Sequence, residues 1–484
     1  MKVLSVLLIN PPSIIELSSN VPSYVSENSG NLPPLGLLYI ATYLKNNSHH
    51  KVKILDALLE NKSFGEIAQE SLKHDIVGIT TTTFTLINVI KQIQIIRKIN
   101  NKSTIVLGGP HVSIYPEESC HIPGVDYCLS GEADITFTEL VNNIAIKCEK
   151  KNIYGLYWKA NDKVYRNMRD VRTIDVNSIP FPDRKLIAYD RYTSILSKKQ
   201  KSSGFVTTAF SSRGCPYKCI FCDRPHLGKK FRAISSAKVL DEINSCVDLN
   251  IREIFFYDDT FTVNKDRVME ICDQLISQQI DIKWDIRARV DTVNEKMLRI
   301  MKKAGCTRIH FGVEAGSSEM MKVLKKGITR KQALYAFHSA KKSGIETLGY
   351  FMIGCPEETR SQMHETFNFA LQLKPDFAHF AILTPFPGTP LYNECLKAGL
   401  YDHDYWQNFA LNPSTNFIPK YLPNTLPEVD LIQLLDGFYK KFYFRPEYLI
   451  KQTLKVRSIK DFANKISVAK SIFFSTGSND KCNV

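Results

Sequence analysis

No apolar run in this chain is long enough to cross a bilayer, which argues against a membrane-spanning helix. The start, Met1-Lys-Val-Leu-Ser-Val-Leu-Leu-Ile-Asn-Pro-Pro12, resembles a secretory leader only briefly. No small-residue cleavage site follows and Pro11-Pro12 ends the run, so a buried first strand is expected. The twelve cysteines lack the spacing of a small disulfide scaffold. A reducing environment and a soluble, cytoplasmic protein are expected. Acidic residues are scarce, 49 against 63 basic ones, for a formal charge of +14. RGG, zinc-knuckle and RNP-like patterns are also missing, so the excess reads as solvated lysines rather than a nucleic-acid footprint. At 44% hydrophobic and 23% charged, the rest is ordinary globular material of two or three domains.

What is present is a cysteine cluster, Arg213-Gly-Cys-Pro-Tyr-Lys-Cys-Ile-Phe-Cys-Asp223. Cys215, Cys219 and Cys222 have the spacing C-x3-C-x2-C. Three thiolates can hold three irons of one [4Fe–4S] cube and leave the fourth iron open to a small molecule. A structural zinc site wants four ligands in a closed tetrahedron. His226 as the fourth makes C-x3-C-x2-C-x3-H, too tight for ligand pairs on separate loops. Gly214 and Pro216 mark the segment as a loop, a poor place to bury three inert thiols.

This loop resembles the signature of radical S-adenosylmethionine (SAM) enzymes, in which the residue before the last cysteine is usually aromatic, as Phe221 is. The resemblance implies a [4Fe–4S] cluster on Cys215, Cys219 and Cys222 as the catalytic metal centre. It implies SAM chelating the open iron and a 5′-deoxyadenosyl radical that takes hydrogen from a substrate. An electron donor such as flavodoxin or ferredoxin is the expected partner.

Residues 1–150 alternate strand-like runs (Val3–Ile9, Lys51–Leu55, Ile76–Thr80, Thr104–Leu107, Val125–Leu129) with helical spacing, the pattern of an open, parallel, Rossmann-like α/β sheet. Such sheets bind ligands beyond the carboxyl ends of their strands. The loops there hold Asn10, Pro11 and Pro12, then Thr80 to Thr83, then Gly108-Gly109-Pro110-His111, then Gly131-Glu132-Ala133-Asp134. Glycines permit close backbone approach and hydroxyls offer donors. Alone, these are also ordinary turn and filler residues. Their order resembles the cobalamin-binding domain that precedes many radical SAM barrels. That resemblance implies cobalamin contacts from Asn10, Pro11, Thr80, Thr81, Gly108, Gly109, His111, Gly131 and Glu132. Ala133-Asp134 departs from the family's usual Gly-Glu. No Asp-x-His-x-x-Gly occurs, so a form without a protein histidine on cobalt is expected, its nucleotide tail between sheet and helices.

Residues 151–203 read as a linker with a small hairpin at Asn161-Asp162 and the proline-fixed segment Ile179-Pro-Phe-Pro-Asp-Arg184. Residues 204–396 carry six strand–helix repeats, a partial (βα)6 barrel. Residues 397–484 form a mainly helical C-terminal region with a disordered tail from about residue 475. The basic, amphipathic stretch Lys451–Phe474 either packs on the barrel or makes peripheral membrane contact.

Residues at the barrel's strand ends should line the SAM and substrate cavity. Asp258 and Asp259 offer an anion to the SAM ammonium. Arg287 and Arg289 either bind the SAM carboxylate or pair with Asp285 and Asp291. Glu314, in a segment that resembles the family's Gly-Val-Glu-Ser-Gly pattern, is placed for the ribose hydroxyls. Ile353, before Gly354-Cys-Pro-Glu-Glu-Thr359, implies backbone along adenine. Glu357 stands where the family has glycine, so that loop has less freedom for positive φ. Cys355 reads as a buried, inert thiol.

Together these imply an enzyme, a cobalamin-dependent radical SAM methyltransferase acting on an unactivated carbon of a small molecule. Oxidative cyclisation, as in anaerobic porphyrin-ring cyclases, and rearrangement stay open within the family. An RNA-modifying enzyme is supported only by charge, and Cys120, Cys128 and Cys148 have the wrong spacing for a second cluster. The substrate class is not written in any of these motifs.

Overall fold

Five short runs of Val, Ile and Leu build the parallel part of the first sheet. They are β1 (Ser5–Asn10), β2 (Lys51–Asp56), β3 (Ile76–Thr80), β4 (Thr104–Gly108) and β5 (Tyr127–Leu129). The computed structural model describes residues 2–15, 31–148, 152–167, 174–194, 204–223, 228–423 and 426–454. Both faces of the sheet are covered, which is why the strands are apolar throughout rather than alternating. Val6, Leu8, Ile76 and Val106 pack with Leu38, Leu44 and Leu140 on one side. Leu7, Ile9, Val77 and Leu107 pack with Val89, Ile93 and Ile67 on the other. The strand order is 2-1-3-4-5, so the chain reverses direction across β1 and β3 and opens a crevice beyond their carboxyl ends.

The hairpin expected within the linker belongs to this sheet instead. β6 (Leu156–Ala160) pairs antiparallel with β5, and β7 (Lys163–Arg166) with β6. Burial of Leu156 and Tyr157 fastens it there. Asn161 and Asp162 both take positive φ, as a two-residue hairpin turn requires.

The proline-fixed segment then ties the two sheets together through neighbouring residues. Asp183 pairs with Lys45 of the first domain at 2.8 Å. Arg184, 2% exposed, pairs with Glu242 at 2.7 Å and donates to the Thr208 carbonyl at 2.8 Å.

The second sheet is six parallel strands in sequential order, an open half-barrel. They are β8 (Phe205–Ala209), β11 (Ile251–Phe256), β12 (Lys283–Ala288), β13 (Cys306–Glu314), β14 (Glu346–Ile353) and β15 (Phe377–Ile382). A two-stranded ribbon, β9 (Ser212–Arg213) with β10 (Arg232–Ala233), follows β8. Helices between the strands cover one face, and right-handed crossovers put every carboxyl end on one rim.

In the C-terminal region, the helix Glu428–Tyr443 lies along β15. The Tyr443 hydroxyl accepts from the Ala378 N–H at 3.0 Å and donates to its carbonyl at 2.8 Å. Tyr439 does the same to Phe380, at 3.1 and 2.9 Å. The helix Pro446–Leu454 follows. Most of the basic stretch, the tail Ser475–Val484 and His226 lie outside the described residues. Among the described residues, no helix is long and apolar enough to cross a membrane.

Candidate active site

The cysteine loop leaves β9 through Gly214, whose φ of 83° suits glycine. It is pinned at Ile220, whose N–H donates to Leu324 at 3.2 Å and whose carbonyl accepts from Leu391 at 2.9 Å. Cys219 is buried, and Cys215 and Cys222 are half-buried. Burial, then the neighbouring Cys219, pushes the Cys222 thiol up to about 12, with Lys326 pulling the other way. Burial also raises Cys215. Such thiols ionise only against a compensating cation. Among the described residues no three His, Cys, Asp or Glu side chains converge closely enough for a single metal ion. Three thiols on one short loop, close enough for Cys215 and Cys219 to raise Cys222, suit three corners of an iron–sulfur cube.

Strand-end residues surround this loop. Arg289 is committed to structure: it forks onto Asp291 at 3.0 Å through two nitrogens, donates to the Lys326 carbonyl at 2.7 Å and lies 3.7 Å over the Tyr217 ring. Arg287 is exposed and stacks 4.5 Å over Tyr257, and no ion pair engages it among the described residues, which leaves its guanidinium available. The acidic pair also divides. Asp258 is fully buried and accepts from the Ser211 N–H and hydroxyl, each at 2.7 Å, and from the Ser212 hydroxyl. It fastens β8 to β11 and does not face a ligand. Asp259 opens to the rim, its carboxyl raised by burial and by Asp258, with Arg287 opposing.

Glu314 ends β13 after a register shift and takes a φ of 72°, a strained value for a residue with a side chain. Its carboxylate meets the buried Lys326 at 2.8 Å, and Lys326 lies 5.8 Å over the Phe221 ring. Ile353 is buried, and its carbonyl accepts from Leu383 at 2.8 Å. Glu357 adopts a φ of 58° despite its side chain, so the loop takes the turn that the missing glycine was expected to hinder. Cys355 is fully buried, its N–H held by Glu358 at 2.9 Å. Burial pushes the Glu358 carboxyl up to about 7.

The open face of the half-barrel carries polar residues that sequence reasoning missed. His310 meets the Tyr350 hydroxyl at 3.0 Å and Asp285 at 3.5 Å, and His379 packs against Tyr350. Polar residues at every second position of otherwise apolar strands, Asp285 and Arg287, then Arg308 and His310, were the available signal.

A cavity of about 400 Å³ opens at the switch point of the first sheet. Thr80, Gly108, Gly109, Gly131 and Glu132 line it. Asn10, Pro11, Thr81 and His111 do not. Asn10 is bonded to Asp56 at 2.8 Å, Pro11, Thr81 and His111 are buried beneath the loops, and His111 faces Thr83 at 3.1 Å. No histidine is among the described residues that line it. Gly109 has a φ of 101°, and a Cβ there would stand 2.8 Å from the Thr81 carbonyl oxygen. The wall also includes Leu8, Gly78 and Tyr39, and, from the second domain, Phe210, Arg213 and Tyr257. Tyr257 thus touches both this cavity and Arg287 of the half-barrel.

The acidic loop is bound across the domains. Asp134 holds Arg213 through both oxygens, at 2.8 and 3.0 Å. Glu132 meets Arg213 at 3.0 Å and also pairs with Arg232. Cys120 and Cys128 lie together in the first core while Cys148 is exposed, so these three do not form a second cluster site.

The family model of the radical SAM superfamily matches residues 210–370, and that of the B12 binding domain matches residues 23–141. An uncharacterized methyltransferase of Pyrococcus horikoshii is 36% identical over 457 residues, 93% of this chain and 95% of the relative. The chain belongs to the cobalamin-dependent radical SAM methyltransferase family. The anaerobic magnesium-protoporphyrin IX monomethyl ester cyclase of Rubrivivax gelatinosus is 27% identical, over 90% of this chain and 78% of the relative. Among solved structures, the cobalamin-dependent S-adenosylmethionine radical enzyme OxsB, with aqua-cobalamin and SAM bound, superposes with a TM-score of 0.75 at 19% identity. The match covers 98% of this chain and 72% of OxsB and shows a shared fold.

Proposed function

We propose that this enzyme methylates an unactivated carbon of a small organic substrate held in the half-barrel. The observation that carries this reading is the cavity at the first sheet's switch point, whose wall includes Tyr257, the ring on which Arg287 of the half-barrel stacks. When bound, a [4Fe–4S] cluster supplies the electron that cleaves SAM, and cobalamin supplies the methyl group. Cys215, Cys219 and Cys222 hold the cluster. Asp259 receives the SAM ammonium and Arg287 its carboxylate, since both are open while Asp258 and Arg289 are already bonded. Glu314 presents the ribose-binding carboxylate at the end of β13, positioned by Lys326. The two stacked domains keep water from the reacting groups.

Free thiols at eleven of the cysteines support a reducing, cytoplasmic setting. The electron donor is of the flavodoxin or ferredoxin class. The test is anaerobic reconstitution with cobalamin, followed by iron, sulfide and cobalamin determination on one sample. One cube and one cobalamin per chain, with 5′-deoxyadenosine formed on reduction, is the expected result. A cube without cobalamin would refute the reading. S-adenosylhomocysteine formed alongside product separates methyl transfer from the ring closure named for the cyclase relative.

A further inference from the structure

The ribbon β9–β10 is the neck of the cysteine loop, because the loop leaves from Arg213 and returns at Arg232. These two arginines are direct cross-strand partners. Like charges in that arrangement repel. A ribbon of two residues on each strand has few hydrogen bonds of its own to resist them. The opposing charge comes from the other domain, from Glu132 and Asp134. Arg213 and Asp134 are only 5% and 4% exposed, and the Tyr39 ring covers the Arg213 guanidinium at 4.8 Å.

Tyr39, Glu132, Asp134 and Arg213 all line the cavity beneath. The acidic loop has room on its approach: Gly131 has a φ of 92° and nothing within 4 Å of where a Cβ would stand. The Gly131 N–H is held by the Ser113 hydroxyl at 3.0 Å, but nothing packs where a Cβ would stand, so a ligand filling the cavity would add contacts to the loop there.

We propose that Arg213 is a positioning residue that couples the two cofactor sites. Cobalamin seated against the acidic loop holds Glu132 and Asp134 on the arginine pair and thereby closes the neck of the cysteine loop around the cluster. This rests on the cofactor assignment above. The coupling is reciprocal, so an assembled cluster also tightens cobalamin binding.

The experiment follows iron release to a ferrous chelator from the reconstituted full chain, with and without hydroxocobalamin, with bound cobalamin measured on each sample. For the wild type, cobalamin slows iron loss about tenfold, within the usual range of coupling between sites. In Asp134→Asn, which leaves all three cysteines intact, iron leaves faster and cobalamin no longer protects it. Arg213→Lys keeps the charge without the fork and falls between the two. Thermal unfolding is recorded in parallel. Should Asp134→Asn not fold, Glu132→Gln, which retains the Asp134 fork, serves with a smaller effect in the same direction. Iron loss that ignores bound cobalamin in the wild type, or equal rates in wild type and variant, would overturn the proposal. If the wild type takes up iron but no cobalamin, the functional reading falls, and the neck is judged by the rates of wild type and variant alone.

Discussion

The two sheets are built from the same strand–helix repeat and present opposite binding surfaces. The first is apolar on both faces, and its cavity at the strand ends is lined by Gly78, Gly108 and Gly109, of which Gly78 and Gly109 are packed too closely against Leu8 and Thr81 to carry a side chain. The second buries one face and turns Tyr257, Arg287, His310, Tyr350 and His379 into its open interior. A sheet wrapped on both sides meets a large ligand at its rim, where glycine backbone and the loop charges Glu132 and Asp134 lie. A half-barrel has a free concave face and can use charge and hydrogen bonds.

The sharpest way to separate the two regions is Cys219→Ala. Iron content and 5′-deoxyadenosine formation fall to background, while cobalamin content stays near the wild-type value. Loss of both cofactors would show that the first cavity does not stand alone. Next in size is the buried carboxyl at the end of β14. Glu358 is raised from 4.5 to about 7 in the folded chain, so the folded state binds its proton more tightly than the unfolded state does. Stability therefore falls as pH rises from about 4.5 to 7, by on the order of 3 kcal/mol. Urea midpoints across that range measure it, and Glu358→Gln flattens the slope.

Gly78→Val probes the first sheet. A Cβ at Gly78 would already stand 2.7 Å from Leu8, so overpacking costs about 1–3 kcal/mol. Cobalamin uptake falls while cluster content is retained. Asp259→Asn probes the half-barrel: the SAM dissociation constant rises roughly tenfold, about 1.4 kcal/mol. Calorimetric titration with SAM checks it, and cobalamin binding is unchanged. The smallest effect is Glu357→Gly, which relieves a left-handed φ of 58° and raises stability by up to about 1 kcal/mol. A lower melting temperature would show that the Glu357 side chain contributes more than its strain costs.

Much of this architecture was legible because the strands are short apolar runs at regular spacing, and the cysteine loop stood out by spacing alone. What stayed hidden depended on partners distant in sequence. Asp258 and Asp259 are adjacent and alike in chemistry, yet Ser211 and Ser212 claim one and leave the other. Arg287 and Arg289 divide in the same way through Asp291. The hairpin seemed part of a linker because its pairing with β5 is set by tertiary packing, not by its own turn. Tyr257 carried no signal of its own, since its importance comes from a cavity that neither domain forms alone.

The two phenols on the helix Glu428–Tyr443 have a consequence for size. A half-barrel ends in a strand whose outward amides and carbonyls invite a neighbour. Tyr439 and Tyr443 answer Phe380 and Ala378 as a further strand would, rung for rung, but with side chains that cannot be extended in turn. The circumference is thereby fixed at six strands, and the width of the opening beside β15, which bounds what can enter, is set by a helix that contributes no residue to the cysteine loop.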